Sequence, residues 1–509
     1  MNPEFTGTVN AFNAFENNGG LNTTASPLAV KDFESTDLQN VELDIWGSIK
    51  KRKGYLNLNE TEVNSGAPGL GIHYYENSSG TDYLVGVFGD KIYKMDDLDG
   101  TFDDITGAFT LTDAANNRCQ FMTYNDTLFG TNNTDLPFKW TGTGDIAAMD
   151  VPTDLTKAKC IGAWTEYCFL GNVIVDGTLY SSRVYWSAAG DPTSWDSADW
   201  VQVNKNDGQD ITAIMPLGDK LVIFKERAIY VAMFTGDTDI PFIIAKSPSH
   251  VGCIARDSVQ LVNNGLIFLS YDGFYYFDGS NSLKISNNIN KTLREDVNTA
   301  RFSQACSTLL MEKNQYICFM TTGAGSTNDV SFVWDFYTKA WMKNTGAAAN
   351  VITTIHVDNS ERPYFLDYDG FCYKMNIGNN DYPLSVETAI DAYYKTKWFS
   401  FGDLMNQKGI PTVMMFVKFD TADLRIGYAF DFEEINQYIV TLPLTNSSAD
   451  VYDTAVYDTA TYSNSGGFSS RIDLTGRGRV FRLSFENNSI DETFTINGFG
   501  ISAYLETAQ

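Results

Sequence analysis

One theme recurs seven times between residues 66 and 380. A run of β-forming residues breaks at a turn with Gly, Asn or Asp, and resumes as a run rich in Tyr, Phe or Trp. The copies are "YLVGVFGDKIYKM" (83–95), "FMTYNDTLFGTNNTDLPFKW" (121–140), "AWTEYCFLGN" leading to "RVYWSA" (163–188), "ITAIMPLGDKLVIFKERAIYVA" (211–232), "GLIFLSYDGFYYFDG" (265–279), "QYICFMTTGAGSTNDVSFVWDFYTKAWMK" (315–343) and "RPYFLDYDGFCYKM" (362–375). Their spacing is roughly 45 residues, the length of a propeller blade of four short strands. A single such sheet cannot bury both faces. Sheets stacked radially around an axis cover one another and leave only short edges. A pair of β-sandwiches also gives short strands at regular spacing. The aromatic half-repeats recur without a long Greek-key gap, which favours the propeller. The expected fold is therefore all-β, with a β-propeller of six or seven blades over 66–380.

The flanks read differently. Residues 1–65 are mostly extended, with Val41, Leu43 and Ile45 alternating as in a strand with one buried face. They read as an N-terminal segment making ring or adaptor contacts. Residues 381–509 alternate apolar and polar in "MMFVKFDTADLRIGYAFD" (414–431) and "RVFRLSFENNSIDETFTINGFGISAYLE" (479–506), which predicts a β-sandwich-like domain. Between these lies the tandem "VYDTAVYDTATY" (451–462), whose five-residue step suits an irregular loop or bulged strand. A chain of 509 residues is long for one core, and its 43% hydrophobic content can fill several.

Two features stand out as candidate subunit-interface residues. The first is Lys50-Lys51-Arg52-Lys53, the only dense basic run in a chain of net charge −27. It could serve as a nucleic-acid contact or nuclear signal, but in so acidic a protein it reads better as a solvated or interface-pairing strand end. The second is "SRVYWSAAGDPTSWDSADW" (182–200), where a strand gives way to a turn-rich loop fixed by Pro192. Trp195 and Trp200 anchor that loop, by packing on the propeller face or on a neighbouring subunit.

Signals for catalysis are nearly absent. His73, His250 and His356 lie far apart with no i+4 partner and no adjacent Cys, so their spacing does not predict a zinc site. No nucleophile elbow or phosphate-cradling loop occurs. "SYDGFYYF" (270–277) lacks the spacing and the Thr-Trp ending of a sialidase Asp box, and "DGSNS" (278–282) is too short for a calcium loop. Cofactors and metals are accordingly expected to be absent, and the chain is expected not to be an enzyme. The seven cysteines are scattered and flanked by apolar residues, which predicts reduced, buried thiols made in a cytoplasm. The N-terminus lacks a basic start and a long apolar run, and no stretch has the ~20 apolar residues of a membrane helix. Neither a signal peptide nor membrane insertion is expected.

Three stretches, "GGLNTTASPLAVKDFESTDLQNVELDIWGSIKKRKGY" (19–55), "SRVYWSAAGDPTSW" (182–195) with "DGQDITAIMPLGDKLVIFKERAIYV" (207–231), and "VGCIARDSVQLVNNGLIFLSYDGFYYFDG" (251–279), occur in that order. Together with "GRGRVFRLSFEN" (476–487) they resemble the tail nozzle, or tail-tubular and head-completion, proteins of short-tailed bacteriophages. The likeness spans about half the chain. It implies a structural virion protein, a homo-oligomeric ring (usually a hexamer) below the portal or adaptor ring. Such a ring lines the DNA exit channel and docks tail fibres or tailspikes, and is assembled in the host cytoplasm. No catalytic residue is carried over. An acidic wall fits transient, non-specific passage of double-stranded DNA, because it offers phosphates no place to lodge. The alternatives are a receptor- or glycan-binding tail module, or a polysaccharide depolymerase; recurring aromatic hairpins suit sugar stacking too.

Overall fold

The computed structural model describes residues 9–114, 117–237, 241–357, 360–418, 422–434, 438–444 and 467–505. The 451–462 tandem lies outside them. The chain divides into two compact units. One comprises residues 56–331 and 347–375; the other comprises 1–55, 332–346 and 376–509.

The first unit is a β-propeller of seven blades. Its innermost strands are Gly69–Glu76, Gln120–Tyr124, Leu155–Trp164, Ile211–Leu217, Gln260–Val262, Cys306–Leu310 and Val351–Val357. The first five blades are complete four-stranded antiparallel sheets within this unit. Each is a meander of consecutive strands, so every pairing is local in sequence. The turns are set by residue type. "GDK" recurs at 89–91 and 218–220 between paired strands, and Gly89 and Gly218 both take positive φ, 59° and 57°. A side chain there would be strained.

Burial between blades supplies the cohesion. Leu70, Tyr75, Val87, Phe138 and Trp140 form one core between the first two blades. Ala213, Phe224, Cys253, Leu266 and Phe268 form another between the fourth and fifth. Each large side chain so buried contributes about 1.5–3 kcal/mol. The ring closes where Leu84, Phe88 and Met95 of the first blade meet Val351, Ile355, Tyr364 and Cys372 of the seventh. Packing of each blade on its neighbours buries the aromatic half-repeats between sheets.

The second unit is a β-sandwich. One sheet runs Gly20–Leu21, Glu34–Gln39, Ala392–Thr396, Phe481–Asn487, Asp423–Phe430, Tyr438–Pro443. The other contains Val41–Leu43, Ile49–Lys51, Thr495–Leu505, Lys408–Lys418 and Gly467–Asp473, with Val9–Ala14 beside Thr495–Leu505. Phe485 of the first sheet meets Phe499 of the second at 5.4 Å. The units cut across the boundaries expected at 65 and 380. The N-terminal segment is not a separate extended arm: its strands complete both sheets of the C-terminal sandwich. Unpaired strand edges are costly, and the sandwich covers its own with the N-terminus.

Candidate functional site

The basic run is folded into the sandwich. Arg52 is 7% exposed and forms a two-pronged pair with Asp381, Nη1 and Nη2 donating to the carboxylate at 2.8 and 2.7 Å. Its Nε donates to Asn40 and its Nη2 to the Thr345 carbonyl. Lys51 is 1% exposed and donates to Asn487 Oδ1 and the Ser489 carbonyl. Burial lowers its ammonium pKa to about 8. Lys53 donates to Asn379. Lys50 alone of the four is exposed. Of the four residues expected at a subunit interface, Lys51 and Arg52 are thus buried and partnered within the chain. Both point inward because the sandwich brings Asn487, Asp381 and the Thr345 carbonyl to them from more than 290 residues away. Desolvated cations are held only where acceptors satisfy them.

The two tryptophans sit in the third blade. Trp195 packs on the core between the second and third blades, and its indole N–H donates to the Pro192 carbonyl. Trp200 begins the outermost strand opposite Tyr185. The Arg183 guanidinium lies between two rings, 3.6 Å from the Tyr180 centroid and 3.8 Å from that of Trp200. The 187–199 loop is the excursion between the third and fourth strands of that blade, and within the chain both rings already have work. Lys225, fully buried, ties the fourth blade to the third by donating to Asp207 and Ser182.

What the sequence did not suggest is the chemistry on the propeller axis. Arg256 Nε donates to Asp257 at 2.8 Å, Nη1 to the Lys159 carbonyl and Nη2 to the Arg118 carbonyl. Arg118 donates from Nε and Nη2 to Asn350 Oδ1, while Asn350 donates to the Gly69 carbonyl. The Arg118 guanidinium also faces Asp257 at 3.8 Å. These bonds join the first, second, third, fifth and seventh blades. Burial pushes the Asp257 carboxyl up, but the positive charges of Arg256 and Arg118 outweigh it and hold the group below its ordinary value. Arg256 and Asp257 of this plug line two cavities of about 170 and 240 Å³ walled by residues of several blades. The smaller is lined by His73, which shares a hydrogen bond with Thr123 and is lowered by burial to about 4. His250 and His356 are exposed elsewhere.

Among the described residues no group of His, Cys, Asp or Glu is placed to hold a metal ion. All seven cysteines are buried thiols, and burial raises each; Cys160 reaches about 11 and Cys119 about 12. No helix among the described residues is long and apolar enough to cross a membrane.

The family model described as Bacteriophage P22 Gp10, beta-propeller, matches residues 31–316, more than half of the chain. The chain belongs to this family. The Gp10 propeller match runs from the sandwich strands after Val30 through the first five blades and into the sixth. Membership makes the chain a structural protein of a bacteriophage tail. No curated protein matches it. Among solved structures it is similar to the computationally designed Ika8 protein, with 13% identity, 63% of this chain and 99% of that chain covered, and a TM-score of 0.38.

Proposed function

We propose that this Gp10-family protein is a non-enzymatic component of the tail nozzle. Copies form a ring, a hexamer on the resemblance described above, below the portal or adaptor ring. The ring lines the DNA exit path and offers docking surfaces to tail fibres or tailspikes. Assembly takes place in the host cytoplasm before the tail is complete.

The plugged axis is the observation that carries this reading. The two cavities beside the Arg118–Asp257–Arg256 cluster hold about 170 and 240 Å³, room for a small ion and waters but not for a duplex. A propeller closed in this way is a rigid block, so a passage for DNA has to be bounded by several copies. The net charge of −27 suits such a passage, since an acidic wall repels phosphates weakly and offers no lodging site. Lys50, the exposed member of the basic run, is the residue of that stretch that remains available to an acidic neighbour.

Negative-stain images of the purified protein test the proposal. Rings with a central hole support it; single propeller-sized particles at every concentration tried overturn it. A polysaccharide-hydrolysis assay, expected to be blank, separates it from a depolymerase.

A further inference from the structure

The sign of the charge inverts on the propeller axis. Acids outnumber bases 63 to 36 over the chain. Yet the larger axial cavity is lined by three cations, Arg118, Lys159 and Arg256, and by a single carboxylate, Asp257. Two positive charges there have no counter-charge in the lining. The side chain of Arg118 is 5% exposed and that of Arg256 10%. Cations desolvated to this degree are costly unless paired.

The donors point the same way. Asp257 is shared between two guanidinium groups, and its backbone carbonyl is taken by Ser307. The Lys159 ammonium makes no hydrogen bond or ion pair with the described residues. Asn133 and Thr212 add uncharged polar groups to the same wall. At about 240 Å³ the space takes a small ion and its waters, not a polymer.

We propose that this cavity is a binding site for a free small oxyanion of the phosphate class. The ammonium of Lys159 and the remaining N–H groups of Arg118 and Arg256 hold it. The anion neutralises the excess charge and ties the second, third and fifth blades together at the axis. It therefore acts as a structural clamp on the propeller, independent of whether copies assemble into rings.

Thermal unfolding of the full chain tests this, with inorganic phosphate as probe and sodium chloride at matched ionic strength as control. Binding to the folded state alone raises Tm with ligand concentration, here by about 2 °C or more at saturation. Phosphate is expected to raise Tm beyond chloride in the unaltered protein and in Lys291→Ala, which changes an exposed helical lysine. In Lys159→Ala the extra rise should vanish. That variant keeps the backbone carbonyl used by Arg256, so the plug stays intact. In Lys159→Glu the new carboxylate replaces the ion, so Tm without phosphate should exceed that of Lys159→Ala. Equal effects of phosphate and chloride, or an undiminished phosphate effect in Lys159→Ala, overturn the proposal.

Discussion

The propeller and the sandwich are both all-β, yet they are built by opposite strategies. In the propeller each of the first five blades is a run of consecutive strands, and the seventh blade packs on the first to close the ring over a long sequence separation. In the sandwich most of the strand pairings are remote: Val9–Ala14 pairs with Thr495–Leu505, and Glu34–Gln39 with Ala392–Thr396. Local pairing can be read from a short window of sequence, whereas remote pairing requires the partner to be known. The polar groups follow the same division. The propeller concentrates its buried charge on the axis, and the sandwich uses a basic run to fasten segments that would otherwise have no reason to meet.

The sharpest way to break this comparison is Arg52→Ala. It strands Asp381 without its partner in the sandwich and should cost that unit about 3–5 kcal/mol. All seven cysteines lie in the propeller and none in the sandwich. Thiol labelling under urea therefore reports the propeller alone, while hydrogen exchange in Val41–Leu43 and Ala392–Thr396 reports the sandwich. Arg52→Ala should accelerate exchange and leave labelling little changed; an equal loss in both readouts would mean that the units unfold as one. Phe268→Ala is the converse variant. It opens a cavity beside Cys253, should cost the propeller about 3–5 kcal/mol, and should bring Cys253 labelling to lower urea.

Titration separates the units further. In the sandwich, Lys51 has a folded pKa of about 8, below its ordinary 10.5. The unfolded chain binds the extra proton between these values, so stability rises with pH from about 8 to 10.5, by about 2–3 kcal/mol. In the propeller, His73 has a folded pKa of about 4 against an ordinary 6.5. Its contribution is present above pH 6.5 and is lost as pH falls towards 4, by about 2 kcal/mol given its partial exposure. Urea unfolding of Lys51→Met and His73→Asn against the unaltered chain should flatten the alkaline and the acid window respectively. Flattening of the other window in either variant would misassign the group. The smallest effect is that of Trp200→Ala, which removes one ring from Arg183 and should cost about 1 kcal/mol with no change in the sandwich.

The same division explains what was legible. The blade theme showed because its signals, the β-formers, the "GDK" turns and the aromatic returns, all sit within one blade. The seven quoted copies correspond to the seven blades. The fate of Lys51 and Arg52 did not show, because a basic run reads as solvated until Asp381 and Asn487 are placed beside it. The axial plug was hidden for a related reason. Arg118 and Arg256 are 138 residues apart, and no spacing rule connects them. The one local hint was an adjacent Arg256-Asp257 pair inside the largely apolar "VGCIARDSVQLV" (251–262), where charges have no reason to sit unless an interior receives them.

Most directly at stake is whether a solid propeller leaves DNA no route except between copies. A cryo-EM map of the assembled tail decides this. The expected density shows several copies bounding a passage of duplex width, each propeller sealed on its own axis by Arg118, Asp257 and Arg256. Nucleic-acid density threading a propeller axis, or a single copy sitting apart from the exit path, would contradict it.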